Sequence, residues 1–557
     1  KRKAEIIAFL KQAQKLSDAP IARADRAQDL VLSFGQRRMW ILAQLNPNDV
    51  TYNMASALAL KGPVRLDLLE KTFATIVQRH ESLRTRFVEK DGVTSQVVDD
   101  FNGWTLNTDD LSELATEAQD NAVQQALDRE VLNPFNLATG PLFRVQVLKR
   151  GTEDHVLVVG MHHIVSDGWS MDVLVKELIT LYVSFAAGHA SPLPALTVQY
   201  ADFAAWQHQW MASDGLKKQL DYWHQTLANA PAVLALPTDR PRQQNPRNHG
   251  AVLQHAITGN VGSGVQAFCQ RHELTPFMLF LGTWQLLLGR YAHTDDVIVG
   301  SPIAGRSRAE FEDIIGFFVN LLLMRADLSG NPSVRDYFAR VRTQALGAFS
   351  HQDVPIDYLL ETLNVERQPG YPPVAQVAFQ LLNVDGTNAA LQGPIRVEPM
   401  PLKHVAARMD MLLAVAKNDD HYSLSIEYNT DLFNASTIAL IAEQFEYLLT
   451  QVLASDEQSI GNLTLVSRAS LHAHLALPEN EVTLSPLNGN QRSMLLDEFA
   501  HTGTHQNNYG IYCELPLKID VTLLQQVLDS VVASHAALRT RIVPCTLPGT
   551  DEYWLAI

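Results

Sequence analysis

Residues 158–170, VVGMHHIVSDGWS, are the most informative stretch of this sequence. A valine-rich apolar run ends there at two adjacent histidines, His162 and His163, and an aspartate and a glycine follow within five residues. The apolar run has the composition of a buried strand, and the residues after the glycine show helical spacing up to a glycine at position 188. The motif is therefore predicted to lie in a turn between a strand and a helix.

Two familiar chemistries are poor matches to this turn. Neighbouring side chains on a strand point to opposite faces, so His162 and His163 cannot easily ligate one metal ion, and no zinc-type spacing of further ligands accompanies them. A hydrolase elbow needs G-x-S-x-G, but Gly168 and Ser170 are followed by Asp172. The remaining interpretation is a single histidine base, with one histidine facing a substrate channel and the other packed in the interior.

The composition of the whole chain restricts its class. The 557 residues suggest several lobes, and a net charge of -16 argues against nucleic-acid or anionic-membrane partners. Three widely separated cysteines predict neither a disulfide scaffold nor a zinc ribbon and fit the cytoplasm. The most apolar long segment, residues 275–291, is predicted to be a buried helix. The chain begins at Lys1 without a signal-peptide pattern, and we expect it to be processed or cut from a longer protein.

The two ends of the chain repeat each other. LSFGQRRMW at 32–40 corresponds to LNGNQRSML at 487–495, and IVQRHESLRTRF at 76–87 corresponds to VVASHAALRTRI at 531–542. Both pairs are separated by 455 residues, which predicts a duplicated domain whose second copy is incomplete in this sequence.

The predicted organisation has five parts. A helix and linker (1–28) precede an N-lobe (29–190) and a C-lobe (191–468), and a short linker (469–481) leads to the start of the second unit (482–557). A Pro-containing crossing near residue 190 marks the boundary between the two lobes.

The chain resembles the condensation domains of nonribosomal peptide synthetases, relatives of chloramphenicol acetyltransferase. The segments that carry the resemblance, all in family order, are MHHIVSDGWS (161–170, the HHxxxDG signature), LSFGQRRMWILAQLNP (32–47), RHESLRTRF (79–87), YADFAAWQ (200–207), GSPIAGR with IIGFFVNLLLMR (300–325) and HQDVPIDYLLETL (351–363). Epimerisation domains typically read DGVSW, whereas Trp169 directly follows Gly168 here, and heterocyclisation domains replace the histidines by aspartates. The resemblance covers about residues 31–453, and residue 482 onward resembles a second such domain.

The resemblance implies an α/β fold of two chloramphenicol-acetyltransferase-like lobes that form a V with a central tunnel. It places His163 where two substrates meet, as the residue that takes or positions the proton of an attacking amine. His162 is predicted to be structural. We expect a backbone N–H near Gly168, at the helix start, to stabilise the oxyanion, so that His163 and Gly168 are the predicted catalytic residues.

The other site residues are predicted to support this centre. Asp167 is expected to hold the turn, and the resemblance makes Arg306 its partner. Asn320, Trp169 and Ser170 are weaker candidates for substrate contact. No metal and no cofactor bound by the domain itself are expected, because the substrates arrive on the phosphopantetheine of carrier proteins or on CoA.

The implied reaction is amide formation by attack of a carrier-bound aminoacyl amine on a donor acyl thioester. A starter role with a fatty acyl donor and an internal role with a peptidyl-carrier donor are both compatible with the sequence. A non-catalytic platform for carrier docking and a stand-alone CoA-dependent acetyltransferase are the alternatives from other classes. The expected partners are donor and acceptor carrier proteins or acyl-CoA, with adjacent adenylation and carrier domains.

Overall fold

The computed structural model describes residues 20–243, 248–257, 261–363, 368, 370–372, 374–382, 395–400, 405–418, 421–478, 482–501, 508, 510–511, 518–546 and 553–557. The predicted N-terminal helix within residues 1–15 lies outside the described residues. The described chain divides into two units, the first comprising residues 1–443 and 455–460 and the second 444–454 and 461–557.

Helices and strands are interspersed along the chain, as expected for a protein of mixed α/β architecture. The strands are β1 (Asn53–Lys61), β2 (Thr85–Lys90), β3 (Val93–Val98), β4 (Asn107–Asp110), β5 (Phe143–Lys149), β6 (Asp154–His162), β7 (His249–Ala256), β8 (Asp296–Ile303), β9 (Asn320–Asp327), β10 (Val377–Leu382), β11 (Arg396–Met400), β12 (Val405–Ala406), β13 (Met411–Asn418), β14 (His421–Asn429), β15 (Leu484–Pro486), β16 (Arg541–Pro544) and β17 (Tyr553–Ala556). The helices are α1 (Phe34–Leu45), α2 (Leu66–Arg79), α3 (Thr116–Leu132), α4 (Gly168–Ala186), α5 (Tyr200–Met211), α6 (Asp214–Thr226), α7 (Val261–Arg271), α8 (Pro276–Ala292), α9 (Val334–Ser350), α10 (Ile356–Thr362), α11 (Ala435–Ala454), α12 (Arg468–His474), α13 (Gly489–Ala500) and α14 (Val521–Ser534).

The strand that leads into the histidine pair is the middle strand of a five-stranded sheet, ordered β11-β1-β6-β5-β4. Leu157, Val159 and Met161 of β6 pack with α2 and α4 on one face, while Val156 and Val158 pack with α3 on the other. Because helices cover both faces, every position of β6 after its first is buried, which explains why this run is continuously apolar. The structure confirms the predicted buried strand.

A second, mixed sheet of seven strands follows the order β12-β7-β14-β13-β10-β8-β9. Its strand β10 runs parallel to β8 and β13, and the other neighbours are antiparallel. The predicted apolar helix at 275–291 is confirmed as α8: Thr275 caps it, its Oγ1 accepting the N–H of Met278 at 3.3 Å, and most of its apolar residues are buried. None of the described helices is both long and apolar enough to cross a bilayer.

One strand crosses between the predicted lobes. β11 comes from the later half of the chain, yet it pairs antiparallel with β1 in the first sheet, with Ala57 opposite Met400. A division of the chain at residue 190 does not account for this strand. The lobe boundaries stay predictions.

The repeat seen in the sequence is also present in the secondary structure of residues 482–557. Helices α13 and α14 begin and end 455 residues after α1 and α2, respectively. The shared glutamine has the same task in both copies: Gln36 forms a capping box with Ser33, and Gln491 forms one with Asn488. The repeated sequence therefore encodes the same helix start twice. That residues 482–557 are the start of another domain of the same family stays a prediction.

Candidate functional site

The HHIVSDG turn has a defined backbone. β6 ends at His162, residues His163–Val165 form a single 3₁₀ turn, and Asp167 is the N-cap of α4. The Asp167 side chain accepts the N–H of Ser170 at 2.8 Å, which is the usual role of an aspartate at this position. The predicted strand-turn-helix is confirmed.

His163 is oriented by one short hydrogen bond. Its Nδ1 lies 2.6 Å from the carbonyl oxygen of Ser166, and because a carbonyl only accepts, Nδ1 must carry the proton of the neutral ring. The Nε2 atom then carries the lone pair and can accept a proton. The ring of Phe317 packs edge-on against the imidazole with 4.8 Å between ring centroids. The backbone N–H of His163 donates to the carbonyl of Tyr52.

His162 has the opposite arrangement. Its Nδ1 accepts the backbone N–H of Ile164 at 3.1 Å, so Nε2 carries the proton when the ring is neutral. The ring meets Phe135 edge-on, on the side of the interior. The histidines diverge because His162 is the last strand residue and His163 is already in the 3₁₀ turn.

Both rings are held neutral. Burial, with a smaller contribution from the positive charge of Arg408, lowers the pKa of His162 to about 3. Burial likewise lowers the pKa of His163 well below its usual range, and Arg408 adds to this effect. His163 is consequently a weak base that is unprotonated at neutral pH.

Asp167 is enclosed by donors. Its carboxylate receives Arg306 at 2.8 and 3.3 Å, the Ser170 hydroxyl at 2.7 Å and the N–H of Phe318 at 2.9 Å. Arg306 also donates to the carbonyls of Phe311, Ala304 and Ile314, and both charged side chains are almost completely buried. This geometry ties the turn to the segment that follows β8 and offers Asp167 no free acceptor toward a substrate.

Three predicted residues, the last of the motif and the two that follow it, are placed away from the cavity that His163 lines, which has a volume of about 380 Å³. Ser170 is fully buried, and its hydroxyl bonds with Asp167, Arg306 and Gly316. Trp169 is exposed on the surface and donates its Nε1–H to the carbonyl of Glu312. Gly168 is exposed and is not among the cavity-lining residues. The geometry therefore argues against substrate contact by Ser170 and Trp169 and against Gly168 as the oxyanion donor.

Asn320 lies in the cavity wall, but its side-chain amide already forms hydrogen bonds within the protein. The Nδ2 group donates to the carbonyls of Gln352 and Val354, and Oδ1 accepts the N–H of Ile356. These three bonds join the start of β9 to the turn before α10. A contact with substrate would have to compete with them, so a structural role is better supported.

The residues that line the cavity come from distant parts of the chain. The cavity of about 380 Å³ at His163 has a largely aromatic and aliphatic wall and adjoins a second cavity of about 490 Å³. Arg38, Tyr52 and Arg408 line both. No motif of the sequence indicates Arg408, and only the folded chain brings it to His163. The described residues contain no cluster of three or more side chains suited to a metal ion.

Gly305 allows a close approach between two backbone segments at this site. Its φ is +65°, and a Cβ there would lie 1.9 Å from the carbonyl oxygen of Phe318. We expect Gly305→Ala to lower the free energy of unfolding by more than the roughly 1–2 kcal/mol that a side chain costs in the left-handed region. Urea unfolding measures this. Gly330→Ala is the matched control, since Gly330 has a φ of +79° but no atom near its Cβ position, and equal losses for the two variants would contradict the clash.

Comparisons with known proteins agree with this architecture. A family model described as "Condensation domain" matches residues 26–473. One of the linear gramicidin synthase proteins of Brevibacillus parabrevis is 38% identical over 499 residues, which are 89% of this chain and 6% of the synthase protein. The X-domain from teicoplanin biosynthesis is 25% identical with a TM-score of 0.73, over 80% of this chain and 100% of the X-domain. The first condensation domain of the calcium-dependent antibiotic synthetase has the same fold, with a TM-score of 0.64 at 19% identity over 78% of this chain and 100% of that one.

Proposed function

We propose that this chain, which belongs to the condensation domain family, forms an amide bond between an aminoacyl group and a donor acyl thioester. The chain spans 6% of the gramicidin synthase protein it resembles, so this activity is assigned to the domain and not to the whole synthase. The observation that carries the proposal is the position of His163 in the cavity wall, with Nδ1 bound to the Ser166 carbonyl and Nε2 left as the acceptor.

The chemistry follows from the state of this histidine. An α-amino group has a pKa of roughly 7.7–8.0, so a fraction of the acceptor amine is already neutral near pH 7. The amine attacks the thioester carbonyl, a C–N bond forms and the C–S bond breaks. The amine loses a proton and the departing thiolate gains one. His163, as a neutral and weakly basic ring, accepts a hydrogen bond from the amine and relays this proton.

The two substrates are proposed to arrive as thioesters on the phosphopantetheine of carrier proteins, or as acyl-CoA on the donor side. Holding both tethered groups in one cavity removes much of the entropic cost of their encounter. The domain itself would need no bound cofactor. The same proposal includes neighbouring adenylation and carrier domains and a cytoplasmic location. It also includes a second condensation-like domain from residue 482 onward. The last of these is supported by the helices that recur after 455 residues.

A reconstituted reaction tests the proposal and identifies the donor. The chain is mixed with an aminoacyl-loaded acceptor carrier and with either a fatty acyl-CoA or an aminoacyl-loaded donor carrier. Mass spectrometry of the acceptor carrier then detects the amide. Amide from acyl-CoA alone supports a starter role, and amide from the carrier-bound donor supports an internal role. If correctly loaded carriers of both kinds give no amide while they still bind the chain, the domain is a docking platform and the proposed reaction is contradicted.

A further inference from the structure

Arg408 belongs to neither the motif nor the Asp167 network, yet it lines the cavity at His163. It lies between β12 and β13, in the later half of the chain. Its Nε–H points at the carbonyl of Thr51 at 3.4 Å, and its guanidinium lies 6.0 Å from the ring centre of Tyr52. The backbone N–H of His163 donates to the carbonyl of Tyr52, the next residue along the chain. Arg408 and His163 therefore both hydrogen-bond to the short segment that precedes β1.

The backbone that carries Arg408 is firmly held. The N–H of Ala407 donates to the Asn248 carbonyl at 2.9 Å, and Asp410 forms a bidentate ion pair with Arg242 at 2.8 and 2.5 Å. The side chain of Arg408 is itself exposed, and the anchored backbone together with the Nε–H bond to the Thr51 carbonyl restricts where its guanidinium can lie when a negative charge develops near it. This preorganisation is what makes an electrostatic stabiliser effective in catalysis.

Arg408 also differs from the other arginines that line this cavity, Arg306 and Arg38, in its ion pairing. Arg306 is taken up by Asp167, and Arg38 forms an ion pair with Asp357 at 3.3 Å. In the part of the chain that the structure describes, no carboxylate forms a salt bridge with Arg408. Glu427 influences it only at longer range. Arg408 thus presents a positive charge to the cavity while the other two guanidiniums are paired.

We propose that Arg408 stabilises the negative oxygen of the tetrahedral intermediate formed next to His163. The proposal rests on the proposed condensation reaction and supplies the electrophilic group that Gly168 does not provide. The attacked carbonyl places its charge on oxygen, which pairs with the guanidinium, while the amine hydrogen faces Nε2 of His163. When the C–S bond breaks, the oxygen charge returns to the carbonyl and the contact weakens.

The same cation acts on the histidine. The charged or titratable groups that bear on His163 are Arg408 and His162, with the Ser166 carbonyl on Nδ1 and Phe317 against the ring. A nearby positive charge disfavours protonation, so Arg408 keeps His163 ready to accept a hydrogen bond. Removal of the guanidinium should therefore move the protonation of His163 to higher pH. A residue with a purely structural role would not produce this change.

Arg408→Gln in the full chain tests the proposal in the reconstituted amide assay. We expect kcat to fall about 10²-fold with KM nearly unchanged, because the lost contact exists in the transition state and not in the bound substrate. Arg408→Lys should recover part of the loss, since it keeps the charge. Arg408→Met, which keeps the apolar stem, serves if the Gln variant folds poorly by circular dichroism. Full kcat in a folded neutral variant, or a loss confined to KM, would overturn the proposal.

Histidine ring NMR provides the second readout without substrate. His163→Ala identifies the His163 signal, and its protonation midpoint is compared between the wild type and Arg408→Gln. We expect the midpoint to rise in Arg408→Gln and to stay in place in Arg38→Gln, which removes a paired cation from the same cavity. An unmoved midpoint in Arg408→Gln contradicts the proposal. Absence of amide formation by the wild-type chain would instead contradict the proposed function, so the two failures are distinguishable.

Discussion

Amide formation should fall by about 10²–10⁴-fold when His163 is replaced by alanine, the range that a general acid–base group usually contributes. The variant loses the only group of the HHxxxDG turn that both lines the cavity and has a nitrogen able to accept a proton. It should stay folded, because the substitution removes one hydrogen bond to the Ser166 carbonyl, worth about 1 kcal/mol. The initial rate of amide appearance on the acceptor carrier and a thermal unfolding curve measure the two effects.

His189→Ala is the matched control, since His189 is exposed after α4 and lies outside the motif. Its rate should equal that of the wild type. Turnover by His163→Ala at the wild-type rate would remove His163 from the chemistry and leave positioning by the cavity as the source of catalysis. It would not affect the family assignment, which rests on the chain as a whole.

Asp167→Asn should lower the free energy of unfolding by about 3–5 kcal/mol, the cost of leaving one member of a buried ion pair without its partner. The Arg306 guanidinium has almost no contact with solvent and would face a neutral amide that has only one acceptor oxygen. The N–H of Phe318 and the hydroxyl of Ser170 would compete for that oxygen. Urea unfolding followed by circular dichroism gives the size of the loss, and poor yield on expression is the expected practical sign.

The corresponding substitution in an exposed ion pair shows whether the loss of stability arises from burial of the pair or from loss of the charge alone. Asp99 pairs with Arg86 on the surface, with 51% and 34% of their side chains exposed. Asp99→Asn should leave the unfolding midpoint nearly unchanged, because exposed ion pairs contribute little. A stable but inactive Asp167→Asn variant would show that Asp167 takes part in the chemistry, contrary to the structural role inferred from the donors that enclose it.

Local patterns in the sequence predicted local structure well. The apolar run before His162 forms β6, the helical spacing after Gly168 forms α4, and the segment at 275–291 forms α8. These elements follow from short-range periodicity and from caps such as Asp167 and Thr275, which act within one turn of helix. The repeat was visible from residues that match at a constant offset, and one matching pair, Gln36 and Gln491, completes the same capping box at the two helix starts.

Predictions that assigned a direction to a side chain were less secure. Gly168 ends the HHxxxDG motif and Trp169 and Ser170 follow it, and this position in the sequence suggested a place at the substrate. In the structure the first turn of α4 directs Ser170 into the Asp167 network and leaves Gly168 and Trp169 on the surface. Which way a residue faces at a helix start depends on what the helix packs against, and the sequence around it does not contain that information.

The sequence by itself indicated the family, through motifs that resemble those of condensation domains, and it determined the strand-turn-helix that carries the histidines. The strand-turn-helix follows from spacing and capping, which act over a few residues. The role of His163 as the base is what the resemblance implies and stays a prediction. Tertiary structure alone decided that β11 joins the first sheet, that the N–H of Phe318 joins the expected partner Arg306 at Asp167, and that Arg408 lines the same cavity as His163. Arg408 is separated from the motif by more than two hundred residues of chain, and only the packing of the two sheets and their loops brings its charge to the site.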